Sequence, residues 1–259
     1  MLLADKVAIV SGVGPGLGRE LGLAFAREGA CVVLGARSAG VIREVADEIT
    51  DAGGTALAVP TNIVEPAQCA RLVAAALGEL GRVDCLVNNA FRMDTMQPFV
   101  EADLSTWRKI VDVNVFGSLQ LTREVVDPMK ARGGGSVVFV NSMVVRKPQP
   151  NQGGYTISKG ALLTAAQVLA KELGPYKIRV NSILPGAMWG PNVELWLKMR
   201  AEEHGTTEQE EYEEIASAMA LGIIPPDDDV ANAAVFFASD LSRVITGQTL
   251  DVNGGEVFA

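Results

Sequence analysis

The sequence predicts an α/β protein built on a doubly wound parallel sheet, a single domain with a helical insertion near its C-terminus. Three observations predict this. Short, nearly all-apolar, β-branched runs alternate with helix-period segments along the chain. A glycine-rich string, Ser11-Gly-Val-Gly-Pro-Gly-Leu-Gly18, stands between the first such run and the first helical segment. The alternation breaks once, from Met188 to Pro226, in a stretch holding two tryptophans, an acidic run and Pro225-Pro226.

The elements follow in order. Val7–Val10 reads as a strand and Leu17–Arg27 as a helix, with the glycine string as the turn between them. Cys31–Leu34 is a strand, Ile42–Asp51 a helix, Ala56–Val59 a strand and Ala67–Leu80 a helix. Val83–Val87 is a strand, followed by a long helical stretch over Leu104–Lys130. Gly133-Gly134-Gly135 turns the chain into the strand Ser136–Val140. Tyr155–Leu173 is a helix, Arg179–Ile183 a strand, Val230–Ser239 a helix and Gln248–Val252 the last strand. Strands that are apolar at successive positions are buried on both faces, as in a parallel sheet. Strand–helix alternation then implies right-handed crossovers.

The chain has 259 residues, 48% hydrophobic and 20% charged, which suits one large domain over residues 1–259. A net charge of −9 argues against nucleic acid and anionic membranes as partners. Acidic residues gather in Glu202–Glu214, read as a solvated helical face, and the lone histidine, His204, lies among them without a metal or catalytic role. Cys31, Cys69 and Cys85 form no C-x-x-C pair. That usage points to a reducing, cytoplasmic compartment. No signal pattern opens the chain, and no apolar run reaches membrane-spanning length.

Two motifs carry chemistry. Glycines in a strand-to-helix turn let the backbone approach a pyrophosphate, and the helix start supplies free N–H groups and a positive dipole end. Tyr155 and Lys159, four residues apart, leave one helix face a turn apart. A phenol titrates near 10, and an ammonium beside it is expected to lower that value into a range useful for acid/base work.

Gly12, Gly16 and Gly18 form G-x-x-x-G-x-G, and with it the chain resembles the short-chain dehydrogenase/reductase family, in its compact single-domain, Rossmann-type branch. The resemblance runs from Lys6 nearly to the C-terminus. It also rests on Asn88-Asn-Ala90, Asn114 in N-V-F-G, Ser142 thirteen residues before Tyr155, Pro185-Gly186, and Asp251-Val-Asn-Gly-Gly255. It implies four catalytic residues. Tyr155 would donate or accept the proton, and Lys159 would bind the nicotinamide ribose and lower the tyrosine pKa. Ser142 would hydrogen-bond the reacting oxygen, and Asn114 would hold a water linking Lys159 to solvent. Cofactor contacts would come from Gly12, Gly16, Leu17, Gly18, Asn89, Ala90, Pro185 and Gly186, with Tyr155 and Lys159. The chemistry agrees: hydride transfer to a carbonyl builds charge on oxygen, and two hydroxyl donors stabilise it. The cofactor carries the hydride, so no metal is required.

Ala36-Arg37-Ser38 ends the second strand without a carboxylate, and Arg37 can pair with a phosphate. The resemblance therefore implies NADP(H), with NAD(H) as the alternative because Pro15 stands where many NADP-dependent relatives carry a basic residue. Asn62 matches the position that contacts adenine, and Ile63 is expected to pack on that ring. Two positions depart from the family pattern: Phe91 replaces a glycine after Asn88-Asn-Ala90, and Gly190 replaces a threonine that touches the carboxamide. Pocket candidates are Phe91, Met143, Gln152 and Trp189, with Arg92, Met93, Val144, Met188 and Trp196 nearby. Most are apolar, which suits a hydrophobic carbonyl or secondary alcohol. Residues 188–226 are expected to form a lid over that substrate. The family implies a homotetramer, or a homodimer, with Leu104–Lys130 and Tyr155–Leu173 at the interface and Val257 and Phe258 at another. Two other readings stand beside the oxidoreductase: a dinucleotide-binding sensor or scaffold without turnover, and a lyase or epimerase on the same fold.

Overall fold

The computed structural model describes residues 1–258. Seven parallel strands form one sheet in the order β3-β2-β1-β4-β5-β6-β7. They are β1 Val7–Ser11, β2 Cys31–Ala36, β3 Thr55–Pro60, β4 Cys85–Asn88, β5 Gly135–Val140, β6 Ile178–Pro185 and β7 Thr249–Val252. The helices are α1 Leu17–Arg27, α2 Ala39–Asp51, α3 Pro66–Leu80, α4 Leu104–Val111, α5 Ser118–Arg132, α6 Gly153–Leu173, α7 Pro191–His204, α8 Glu208–Ser217 and α9 Asp227–Ala238. Every strand expected from the apolar runs is present, with ends shifted by one or two residues.

The two faces of the sheet bury separate cores. On one, Leu21, Phe25, Ile42 and Ile49 from α1 and α2 pack with Val230 and Val235 from α9 over Val10, Val32 and Leu34. On the other, Leu72, Leu121, Val125 and Leu162 from α3, α5 and α6 cover Ile9, Val33, Leu86 and Phe139. Alternating strand residues thus feed opposite cores, which is why the strands lack a polar face. The strand order reverses between β1 and β4, where Ser11 and Asn88 are register partners at the strand ends. A crevice opens there by geometry, since neighbouring connections leave to opposite faces.

The long helical stretch expected over 104–130 is present but interrupted. Asp112–Gly117 forms a π-helical segment between α4 and α5. It places Asn114 wholly inside the protein. Insertion of such a segment shifts side-chain direction relative to a regular helix, and π segments gather at functional sites.

The stretch 188–226 folds as α7 and α8. Arg200 and His204 of α7 converge on the buried Glu211 of α8, with Thr206 donating to the same carboxylate. Thr207 and Glu210 close a capping box at the start of α8. His204 is thereby accounted for by an internal hydrogen bond with Glu211, and the acidic run is partly solvated and partly this pairing. Ala216, Met219 and Ile224 make a small core of their own beneath it.

Candidate active site

The glycine loop sits at the crevice. Gly12 has φ +82° and Gly16 φ +88°, a region that side chains avoid. A Cβ on Gly12 would overlap the backbone of Ala90, and one on Gly18 would overlap the Gly12 carbonyl. Asn89 donates from Nδ2 to the Gly12 carbonyl at 2.8 Å, tying the end of β4 to the loop. Beside Gly14 there is open space instead. Leu17 is buried as the first residue of α1, leaving its helix start directed at the crevice. This is a cradle for an anionic group, bare backbone at a helix start, with the Asp227 carboxyl and the Asn192 amide standing beside Gly16.

A cleft of about 750 Å³ runs outward from that loop. Its walls include Gly12–Pro15, Arg37, Ser38, Asn62, Ile63 and Ala90–Met93. An adjoining cavity of about 560 Å³ shares Arg37, Asn62, Ile63 and Arg92. Arg37 is exposed and makes no hydrogen bond or ion pair among the described residues. Ile63 lines the cleft while packing closely on Gly117. These features fit an extended dinucleotide. Gly12–Gly18 would hold its diphosphate, and Arg37, Ser38 and Asn62 its adenosine end.

Behind Phe91, which lines the cleft, stand the residues expected to act as acid and base. Ser142 follows β5, and α6 carries Tyr155 and Lys159. Tyr155 is 9% exposed and Lys159 3%. Lys159 Nζ lies 5.5 Å from the centre of the Tyr155 ring and donates to the Val140 carbonyl at 2.7 Å. Burial pushes the Tyr155 phenol up to about 12, and a hydrogen bond with Ser142 pulls the other way. Burial pushes the Lys159 ammonium down to about 7. This differs from the expectation that Lys159 depresses the phenol. In the chain itself desolvation dominates both groups, because a lysine that loses charge on burial cannot act as a fixed cation.

Asn114 lies behind this pair. Its Oδ1 accepts from the Arg92 N–H at 2.6 Å, and its Nδ2 donates to Ser158 Oγ at 2.9 Å. Ser158 Oγ in turn donates to the Tyr155 carbonyl at 2.7 Å. Asn114 thus links the loop after β4 to the Tyr155 turn of α6.

Pro185 and Gly186 close the floor: Pro185 pairs in register with Val252, and a Cβ on Gly186 would press on Asn253 and the Met143 sulfur. Phe91 meets the Tyr155 ring edge-on at 6.2 Å and lies 5.8 Å from Lys159 Nζ, so it covers both groups. Gln152 precedes α6 without capping it. Trp189 is placed apart from the others. Its ring packs edge-on against Tyr212 at 5.0 Å and lines a separate cavity with Ile223 and Ile224. A tryptophan beside the insertion is drawn into that small apolar core, and it is not among the residues lining the glycine cleft.

Asp94 was invisible in the sequence. Its Oδ2 accepts from the Tyr155 N–H at 3.0 Å, capping α6 from a loop sixty-one residues away. Gly153 and Gly154 leave room for Trp107 at the same point. That glycine pair before Tyr155 was the one available signal of close packing there.

Comparison with known proteins decides the family. A family model described as "Enoyl-(Acyl carrier protein) reductase" matches residues 12–256. L-rhamnose 1-dehydrogenase (NAD(P)(+)) of Azotobacter vinelandii is 35% identical, over 98% of each chain. The chain belongs to the short-chain dehydrogenase/reductase family. It is an NAD(P)-dependent oxidoreductase of that family. The 7alpha-hydroxysteroid dehydrogenase of Escherichia coli K12 is 32% identical, over 98% of this chain and 95% of that one. Among solved structures, the L-sorbose reductase of Gluconobacter frateurii, complexed with NADPH and L-sorbose, superposes with a TM-score of 0.94 at 27% identity over the full length of both chains. A 7 alpha-hydroxysteroid dehydrogenase complexed with NADH and 7-oxo glycochenodeoxycholic acid gives 0.85 at 32% identity, covering 98% of this chain and 95% of that one.

Proposed function

We propose that this short-chain dehydrogenase/reductase transfers a hydride between NADP(H) and the carbonyl or secondary alcohol of a hydrophobic small molecule, with Tyr155 as general acid/base. The observation that supports this best is the buried Tyr155, its ring 5.5 Å from Lys159 Nζ and covered by Phe91 of the glycine cleft. A bound nicotinamide supplies or accepts the hydride. Tyr155 and Ser142 hold the reacting oxygen. With its phenol pushed to about 12, Tyr155 is protonated throughout the neutral range, the state a carbonyl reduction needs. Lys159, pushed to about 7, exchanges a proton near neutrality and can resupply the phenol. Asn114 fixes the Tyr155 turn from behind through Ser158.

Arg37 favours NADP(H): it stands free at the outer end of the cleft, and no carboxylate follows β2 to repel a 2′-phosphate. Phe91, Met93 and Met143 give the inner end an apolar wall, which suits a hydrophobic substrate. The helix pair α7–α8, carrying exposed Leu195, Trp196 and Met199, serves as the lid. The exposed Leu104, Phe116, Ile157 and Val168 on α4–α6 suit burial between subunits of a homotetramer or homodimer, read out as mass in solution. No described helix is long and apolar enough to cross a membrane. The three cysteines are free, and burial raises Cys69 and Cys85 away from thiolate chemistry, which suits a cytoplasmic enzyme.

The test is the absorbance of reduced nicotinamide at about 340 nm with a panel of ketones and alcohols and either dinucleotide. Turnover with apolar ketones and NADPH is expected. Tight dinucleotide binding with no turnover on any member would favour the sensor reading.

A further inference from the structure

The start of α9 brings a carboxyl group against the glycine loop. Asp227 is the first residue of α9 and is 8% exposed. Its N–H donates to the Trp189 carbonyl at 3.1 Å, which fixes it beside the strand-end loop that follows β6. A Cβ on Gly16 would stand 2.8 Å from Asp227 Oδ2, and one on Gly190 would overlap the same oxygen. The carboxyl therefore fills the space between the two glycines. No hydrogen bond or ion pair reaches it among the described residues.

The charged groups that face it offer no relief. Glu20 on α1 and Asp228 on α9 are both acidic and, after burial, raise Asp227 to about 6. Arg19, the cation of this region, is engaged with Glu20 and Glu48. From α7 the neutral Asn192 amide comes within 4.0 Å of the same Gly16 position. The helix starts of α1, α7 and α9, which meet at this carboxyl, favour the ionised form, and burial with the two acidic neighbours outweighs them.

We propose that Asp227 takes up a solvent proton when a dinucleotide binds, so that its carboxyl sets the affinity of the glycine loop for the diphosphate. The proposal rests on the dinucleotide-binding reading of the cleft. A diphosphate on Gly12–Gly18 brings negative charge to a nearly buried carboxylate that has no cation to screen it. The carboxylate binds one proton and becomes a neutral acid. Its O–H can then donate to an acceptor oxygen, where the ionised form would only repel.

The sign follows from linkage. Below about pH 6 Asp227 is already protonated in the free chain, and affinity is level with pH. Above it, binding must draw the proton from solvent, and the dissociation constant rises by up to about tenfold per pH unit.

The experiment is calorimetric titration of NADH into the full chain at about pH 7.5, in two buffers of different ionisation enthalpy. NADH is chosen because a 2′-phosphate titrates in the same range, with a pKa near 6. Uptake approaching one proton per site is expected in the wild type, with the pH dependence above. In Asp227→Asn, uptake should fall by most of that proton, and NADH should bind at least about tenfold tighter near pH 8. Lys159 and Tyr155 are common to both proteins, so their protons cancel in the difference. Asp227→Ser, smaller than Asn, should behave alike and guards against a packing defect in one variant. Equal proton uptake in wild type and both variants would overturn the proposal, as would variants that bind NADH no tighter at pH 8. Failure of every protein to bind at any pH would overturn the reading of the cleft as well.

Discussion

Lys159→Met should make the protein more stable, and only on the acid side of its titration. The fold holds the Lys159 ammonium 3% exposed and lowers its pKa from 10.5 to about 7. A base whose folded pKa is depressed penalises the native state fully below the folded value, where both states carry the proton. The penalty is relieved as pH rises from about 7 to 10.5, where the unfolded chain binds the extra proton. A shift of about 3.5 units, at about 1.4 kcal/mol each, corresponds to about 5 kcal/mol. Methionine fills similar volume, but leaves the Val140 carbonyl without its donor, which costs about 1–2 kcal/mol. The variant should therefore gain about 3–4 kcal/mol near pH 6.5 and almost nothing near pH 9.5. Urea unfolding at the two pH values measures the difference. A variant less stable at pH 6.5, or a gap of the same size at both, would refute desolvation as the dominant effect on Lys159.

Tyr155→Phe should lower turnover by at least about 10³-fold while the dinucleotide dissociation constant stays within about threefold, measured by initial rates and fluorescence titration; retained turnover would remove Tyr155 from the mechanism. Arg37→Ala should weaken NADPH by about tenfold or more relative to NADH, the loss of a charge-assisted contact; equal effects on both would remove the assignment of Arg37 to the 2′-phosphate. Phe91→Ala should uncover the pair, moving the phenol down from about 12 and the ammonium up from about 7. Ultraviolet titration of the phenol, referenced to Tyr155→Phe, reads the first shift, and no change would mean that other walls supply the burial.

The sheet was legible because its information is local. Apolar runs, glycine turns and helix periods are adjacent in sequence, so each strand could be placed to within one or two residues. The Tyr155–Lys159 pair was legible for the same reason, being one helical turn. What escaped were contacts between residues far apart in the chain. Asp94 caps α6 across sixty-one residues, and Asp227 reaches a loop more than two hundred residues earlier. The π segment at 112–117 left no periodicity signal, since one extra residue in a helix barely shifts an apolar pattern. The sense of the pKa shifts also escaped. Proximity of Lys159 to Tyr155 is a sequence fact, whereas the burial that outweighs it belongs to the assembled layers.

The two departures from the family pattern share one physical logic. A glycine at 190 in place of a longer side chain leaves a void beside the glycine loop, and the Asp227 carboxyl fills it. A phenylalanine at 91 in place of glycine adds a ring, and that ring covers Tyr155 and Lys159. Both changes remove water from titratable groups: one beside the glycine loop, one around Tyr155 and Lys159. Desolvation raises a carboxyl and a phenol and lowers an ammonium, so Asp227, Tyr155 and Lys159 are all biased toward their neutral forms. Negative charge brought by a dinucleotide would favour the protonated form of each of the three. Under the proposed mechanism, bound dinucleotide would be an electrostatic partner of Tyr155 and Lys159 as well as a reagent, and pH should act on binding and on turnover through different residues.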